Sequence, residues 1–308
     1  MTNPTTQQGL MPEPARTSDF VHLHFLVFLW GFTSILGMLM QDLDALQVVL
    51  WRGMLTLVGL VLVVTYQRNW EPIRPRRMVQ MLGTGAILAV HWLTFFAAAR
   101  LSNVSTCLAG LATCALWTSL LEPLITRRKF RPIELVLGFV VLIGLNMIIY
   151  ADFSRTTGLL IGVFSAVCSA LFSVLNVGFV RQYKAITITF YEILGCTLTI
   201  ACMIPVFNWI WPNDFGLWAW PNGSTFGYLL VLAWLCTVYA YTASVSLMKR
   251  FTVFAMNLTI NLEPVYGIIL AWLFFGQTEE MTLGFYAGTV LIIASVVAYP
   301  SLSKRFMG

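Results

Sequence analysis

A carboxylate and a helix breaker stand side by side, Glu263-Pro264, inside the apolar run NLTINLEPVYGIILAWLFFGQ from Asn257 to Gln277. An ionised carboxylate at the centre of a bilayer costs about 2.5 kcal/mol or more. Proline lacks an amide donor and frees the carbonyl four residues back, here that of Ile260. In lipid such a carbonyl needs a partner. Both features become tolerable where the run faces protein or a watery cavity. Glu263 then either binds substrate or a proton, with Pro264 bending the helix, or is a protonated group that glues two helices. Asn257 and Asn261 lie one turn apart on one face of the same run. In an ideal helix Glu263 points about 120–160° away from them, so they are candidates for cavity lining or for interhelical glue.

Other polar groups stand in apolar surroundings. His91 in AILAVHWLTFF and Tyr241 in TVYAYTASV are both central in their runs. A buried histidine can bind a solute, carry a proton or simply pack. Trp92, Tyr239 and Trp117 are candidate aromatic walls. Arg52 and Glu192 suggest a gate, but their depths differ by about 12 Å across a core of about 30 Å, too far for a direct pair. Arg52 is expected to snorkel outward, and Glu192 to meet Arg181 or Lys184. Ser165, Ser169 and Ser173, spaced by four, favour close helix packing. Gly284-x-x-x-Gly288 reads as a packing or dimer face.

The elements that carry these residues follow from composition. Hydrophobic residues make up 58% of the 308 and charged residues 10%, too little charge for a soluble surface. Apolar runs of membrane-spanning length recur along the chain. Ten spans are predicted, at about 22–41, 46–66, 78–99, 103–125, 133–150, 157–180, 187–209, 226–248, 252–275 and 281–300. Residues 1–20 read as a polar, disordered tail, and residues 301–308 as a second tail. With an even number of spans both termini share a side. That side collects most of the 18 Lys and Arg; Arg100 and Arg155 fall opposite, and Arg52 within a span. The bias places both termini in the cytoplasm. The net charge of +5 therefore lies in membrane loops and implies no nucleic-acid partner. The six cysteines sit in apolar runs without metal-ligand spacing and read as core residues. No P-loop, H-E-x-x-H or G-x-S-x-G occurs.

The halves can be superimposed. LWRGMLTLVGL (50–60) aligns with FYEILGCTLTI (190–200), and RLSNVSTCLAGLATCALW (100–117) with RFTVFAMNLTINLEPVYG (250–267). His91 then aligns with Tyr241, and Arg52 with Glu192. Five helices per half make the second half enter the membrane inverted, an arrangement that places a solute site near midplane between the repeats.

The five-plus-five helices, the RLS (100–102) and RFT (250–252) turns and LEPVYGIILAWLFFGQ (262–277) resemble the EamA family of the drug/metabolite transporter superfamily, over roughly residues 24–300. Family members often carry Glu where this chain has Gln277, and the first repeat has Thr113-Cys114 where the second has Glu263-Pro264. The resemblance implies a bacterial inner-membrane permease for a small metabolite, with amino acids as the first expectation and export slightly favoured. The expectation is an all-α integral membrane protein, residues 21–150 and 157–300 forming its repeats, that works by alternating access. No cofactor is expected. Its partners are a small-molecule substrate, the bilayer and a candidate coupling proton, and it is a monomer or homodimer. The alternatives are a receptor or assembly subunit without flux, and an intramembrane enzyme using Glu263 and His91.

Overall fold

Asp44, Asn103 and Asn222 each open a helix by the same device. Their side-chain oxygens accept the amide of the third residue on, Gln47 (2.8 Å), Thr106 (2.9 Å) and Thr225 (2.9 Å), satisfying donors that helix starts leave free. The helices they open belong to a computed structural model that describes residues 16–68, 70–127, 132–210, 219–251, 256, 259–260, 262–279 and 281–305.

The first half runs α1 (Thr17–Leu39), α2 (Ala45–Tyr66), α3 (Pro75–Leu101), α4 (Val104–Leu111), α5 (Cys114–Thr126) and α6 (Pro132–Ala151). A short 3₁₀ turn leads to α7 (Thr156–Val180), α8 (Ala185–Ile210) and α9 (Gly223–Leu230). A π-helix, Val231–Tyr239, joins α9 to α10 (Ala240–Leu247). The chain closes with α11 (Glu263–Phe275) and α12 (Leu283–Arg305). Among the described residues, seven helical stretches are long and apolar enough to cross a membrane, and Val136–Ala151 and Leu283–Ser295 are shorter apolar helices. The expected fourth span is one such stretch, broken at Ala112-Thr113.

Several expectations shift. α1 begins at Thr17, inside the expected tail, because Asp19 accepts the Arg16 amide (2.8 Å) and pairs with Arg250 (2.9 Å). α12 continues to Arg305, so helix replaces part of the second tail. Gly288 is not a free dimer face, since α6 crosses α12 there with Gly144 against it. Five cysteines are buried, but Cys202 is exposed.

The two ends of the bundle are tied differently. Where α1 finishes, the Arg100 guanidinium donates to the carbonyls of Leu43 (2.6 Å), Met40 (2.9 Å) and Gly37 (3.3 Å). At the same end Glu279 accepts the amides of Val104 (3.0 Å) and Ser105 (2.9 Å), capping α4 from far along the chain. Asp42 there accepts from the Asn222 amide (2.9 Å) and the Thr225 hydroxyl. Burial works against its charge, but those two donors, its own backbone amide and the nearby Arg100 together hold the Asp42 carboxyl below its ordinary range. At the opposite end Arg250 meets Asp19, and Glu71 accepts the Lys184 amide (3.0 Å) and the Thr187 hydroxyl (3.1 Å).

Candidate functional site

Two close crossings build the site. α3 meets α8 backbone to backbone: a Cβ on Gly85 would lie 2.1 Å from the Glu192 carbonyl, and one on Gly195 2.3 Å from that of Leu82. Only glycine permits this approach, and it delivers the Thr84 hydroxyl to Glu192 (2.9 Å). α1 meets α11 at Gly31, where a Cβ would stand 3.1 Å from the Gly267 amide nitrogen and 3.2 Å from the Glu263 carbonyl. This holds the start of α11 against the bundle interior.

Between the halves lies a cavity of about 80 Å³, room for a few waters or a small head group. Its polar lining includes Arg52 and His91 from the first half, and Asn176, Tyr241 and Glu263 from the second. A larger groove of about 520 Å³, lined by residues such as Leu93, Leu160, Phe164 and Phe207, is almost wholly apolar and offers no charged group.

Arg52 is only 4% exposed. Its Nε donates to the Thr237 hydroxyl (2.9 Å), and its guanidinium lies 3.6 Å over the Trp92 ring centroid. Such stacking contributes about 0.5–2 kcal/mol. The expected outward snorkelling does not occur: Trp92 and Thr237 hold the head group inside, and the side chain borders the cavity. Thr237 is positioned by the π-helix, its hydroxyl donating to the Leu232 carbonyl five residues back (2.8 Å). The same widened turn leaves the Cys236 carbonyl to accept from the Trp30 indole (3.2 Å).

Glu263 is 7% exposed. It opens α11 after a turn at Leu262, so Pro264 falls in the first helical turn, where its missing N–H leaves no intrahelical bond unmade. Among the described residues the Glu263 carboxylate has no hydrogen-bond or ion-pair partner, and Arg52 and Glu263 do not pair with each other.

His91 and Ser165 close a reciprocal pair. The Ser165 hydroxyl donates to the His91 carbonyl (2.9 Å), and His91 Nδ1 lies 3.0 Å from the Ser165 carbonyl. The Ser165 hydroxyl also lies 2.8 Å from Nδ1, so the ring's tautomer sets whether Nδ1 donates to the Ser165 carbonyl or accepts from the hydroxyl. The serine stripe thus does more than pack: Ser165 fixes the histidine, and Ser169 and Ser173 reach the cavity.

Tyr241 donates to Glu192 Oε2 (2.6 Å). Glu192 is 1% exposed and lies behind Tyr241, not beside Arg181 or Lys184. The reason is the α3–α8 crossing, which turns Glu192 toward Thr84 and into the bundle. Tyr239 is 42% exposed and bonds His22 Nε2 (2.9 Å), away from the cavity. Trp117 also stands apart, its indole donating to the Thr113 hydroxyl (3.1 Å). Asn257 and Asn261 lie outside the described residues. One strong candidate, Asn176, stands three residues after Ser173 on α7. It is fully buried, it lines the cavity, and its amide stands against the Glu192 carboxylate and the Tyr241 hydroxyl.

A polar cavity lined by both halves of a helical membrane protein is an arrangement that solute carriers use. The chain belongs to the EamA-like transporter family, whose model matches residues 22–150 and 156–299 as two repeats. It is thus a multi-pass membrane protein of a family of small-solute transporters. No curated protein matches it. A solved structure titled "Crystal structure of protein" is 16% identical, with a TM-score of 0.67, and the match covers 94% of this chain and 99% of that one; at this identity it supports the fold alone.

Proposed function

We propose that this chain is a secondary transporter that moves a small polar metabolite across a bacterial inner membrane by alternating access. Amino acids are the first candidate cargo, and export is slightly favoured over import. The observation that carries the reading is the cavity itself: it lies between the repeats, and Arg52 and Glu263 both border it, near enough to attract each other but without a direct ion pair. Charges of that kind inside a membrane are costly and mark solute or ion pathways. Ten spans in two inverted sets of five give the halves opposite orientation, so rocking one against the other would expose the cavity to each side in turn. The breaks before Cys114 and Glu263 are natural hinges for that motion. Arg100, Glu279 and Asp42 close one end of the bundle, and we take that end as the outer one because of the Lys/Arg bias of the loops.

Counterflow in proteoliposomes tests the reading. Vesicles loaded with a mixed solute pool should accumulate labelled tracer above empty vesicles; folded protein that accumulates none, across amino acids, sugars, nucleosides and cations, would sink it. The orientation has its own check: a tag at either terminus should be inaccessible from outside intact cells, and external labelling of either would overturn it.

A further inference from the structure

Each end of the bundle carries a carboxylate that ties one repeat to the start of a helix in the other. At one end Asp42, in the turn between α1 and α2, accepts the Asn222 amide (2.9 Å) and the Thr225 hydroxyl, both at the start of α9. At the other end Glu71, just before α3, accepts the Lys184 amide (3.0 Å) and the Thr187 hydroxyl (3.1 Å), both at the start of α8. The two contacts are images of one another under the repeat. α2 and α8 begin at matching residues, Ala45 and Ala185, and α3 and the α9–α10 stretch are the third spans of their halves. The carboxylate stands on the α2 side of one contact and on the α3 side of the other, so acceptor and donors have changed places.

Each contact lies at the tips of two helices that cross deeper in the bundle. α3 crosses α8 at Gly85 and Gly195, ten residues in from Pro75 and Ala185. α2 crosses the π-helix where the Thr56 hydroxyl donates to the Ala233 carbonyl (3.3 Å) and the Trp234 indole to the Leu55 carbonyl (3.2 Å). Leu55 and Ala233 are ten residues in from Ala45 and Gly223. Every arm is therefore about 15 Å long. The α3–α8 crossing has no room to slide, since the helices meet there backbone to backbone, so its arms can only turn. The result is two scissors that point to opposite ends, each held shut at its tips by one carboxylate. Asp19 with Arg250, and Glu279 with the α4 amides, add a further contact at each end, but those two are not repeat images.

We propose that Asp42 and Glu71 are the paired latches of the transport cycle. Releasing Asp42 lets α2 and α9 part and opens that end; releasing Glu71 lets α3 and α8 part and opens the other; here both are closed. This rests on the alternating-access reading above and assigns the residues that hold each end. A carboxylate on a backbone amide and a hydroxyl suits the task. The bonds are charge-assisted and lie at a helix N-terminus, where a negative charge is favoured. Asp42 is exposed and Glu71 half-buried, so water can replace both donors as a latch opens, and no polar group is stranded.

Spin-label distances in the full-length protein, in lipid nanodiscs, test the latches without a substrate. Exposed positions flank each one: Gln41 with Ser224, and Arg76 with Gln182. Each pair is changed to cysteine and labelled in a Cys202→Ser background, which removes the exposed native thiol. Asp42→Ala should raise the long-distance population of the 41–224 pair about tenfold and should not widen the 76–182 pair. Glu71→Ala should do the reverse. Thr225→Val and Thr187→Val, which each remove one bond and keep the carboxylate, should widen the same ends by less, and they decide if an alanine variant fails to fold. Widening at neither end, or at both ends in one variant, overturns the proposal. So does a lower melting temperature with unchanged distances, the signature of a helix cap that only stabilises. Cross-linking adds flux: Asp42→Cys with Asn222→Cys, or Glu71→Cys with Lys184→Cys, joined by a thiol-cleavable reagent, should stop counterflow until the link is cut. Flux through a chain locked at one end overturns the latches and keeps the transporter. End-selective widening in a protein that moves no solute keeps the latches and removes the transporter reading.

Discussion

The two fourth spans of the repeats break at nearly the same place and close the break differently. In the first repeat α4 ends at Leu111 and α5 restarts at Cys114. Thr113 fills the gap: its hydroxyl donates to the Gly110 carbonyl (2.8 Å) and accepts from the Trp117 indole (3.1 Å). In the second repeat the chain turns at Leu262 and restarts at Glu263. No side chain among the described residues closes that break onto Glu263, whose carboxylate borders the cavity instead. The break is therefore shared architecture, and the charge is the asymmetry. One arm satisfies itself with a neutral hydroxyl and an indole. The other presents a carboxylate to the cavity with no hydrogen-bond partner among the described residues.

The largest effect should come from removing that asymmetry. Glu263→Gln keeps the shape of the side chain and deletes its charge. A hydrogen bond to a charged group contributes about 1.5–3 kcal/mol, so flux in proteoliposomes should fall roughly ten- to a hundredfold, with expression and folding intact. Wild-type flux in this variant would make the two arms equivalent and end the comparison.

Tyr241→Phe should come next. It breaks the bond to Glu192 and leaves that carboxylate with the Asn176 amide and the Thr84 hydroxyl, whose single hydrogen also has the Met81 carbonyl within reach (2.9 Å). Hydrogen bonds between membrane helices contribute about 0.6–1.7 kcal/mol, so thermal unfolding in detergent should report a loss of that size. Unchanged stability would mean that Glu192 finds another partner, and the α3–α8–α10 contact would then not depend on this bond.

How much of this was legible beforehand depends on what each residue type costs in lipid. Glu263, His91 and Tyr241 stood out because polar groups in long apolar runs need a reason, and the cavity brings all three together. Direction around the helix was harder to read. Tyr239 and Tyr241 are two residues apart, about 200° around a helix, so when Tyr241 faces inward Tyr239 must face away. Arg52 was misplaced because nothing local announces its partners: Trp92 and Thr237 come from other helices, and Thr237 sits on a π-helix that its residue types do not signal. Asn176 was hidden by its neighbours, since an asparagine continuing a serine stripe resembles ordinary packing.

Thr113→Val tests the quiet arm. It deletes a hydroxyl that serves two bonds and leaves the Trp117 indole and the Gly110 carbonyl without that partner. A net hydrogen bond contributes about 1 kcal/mol, so stability should drop by about 1–2 kcal/mol while substrate affinity holds within about twofold. A large loss of affinity with stability intact would show that the first arm also contacts the solute.

The smallest effect should follow from Tyr239→Phe. The hydroxyl bonds His22 at an exposed position, outside the cavity. Exposed polar contacts rarely contribute more than about 0.5 kcal/mol, and the ring can keep its tilted contacts with His22 and Phe25. Flux and melting temperature should both match wild type. A drop in flux without a drop in stability would place Tyr239 on the solute's path, and the line drawn here between two tyrosines on opposite faces of one helix would have to be redrawn.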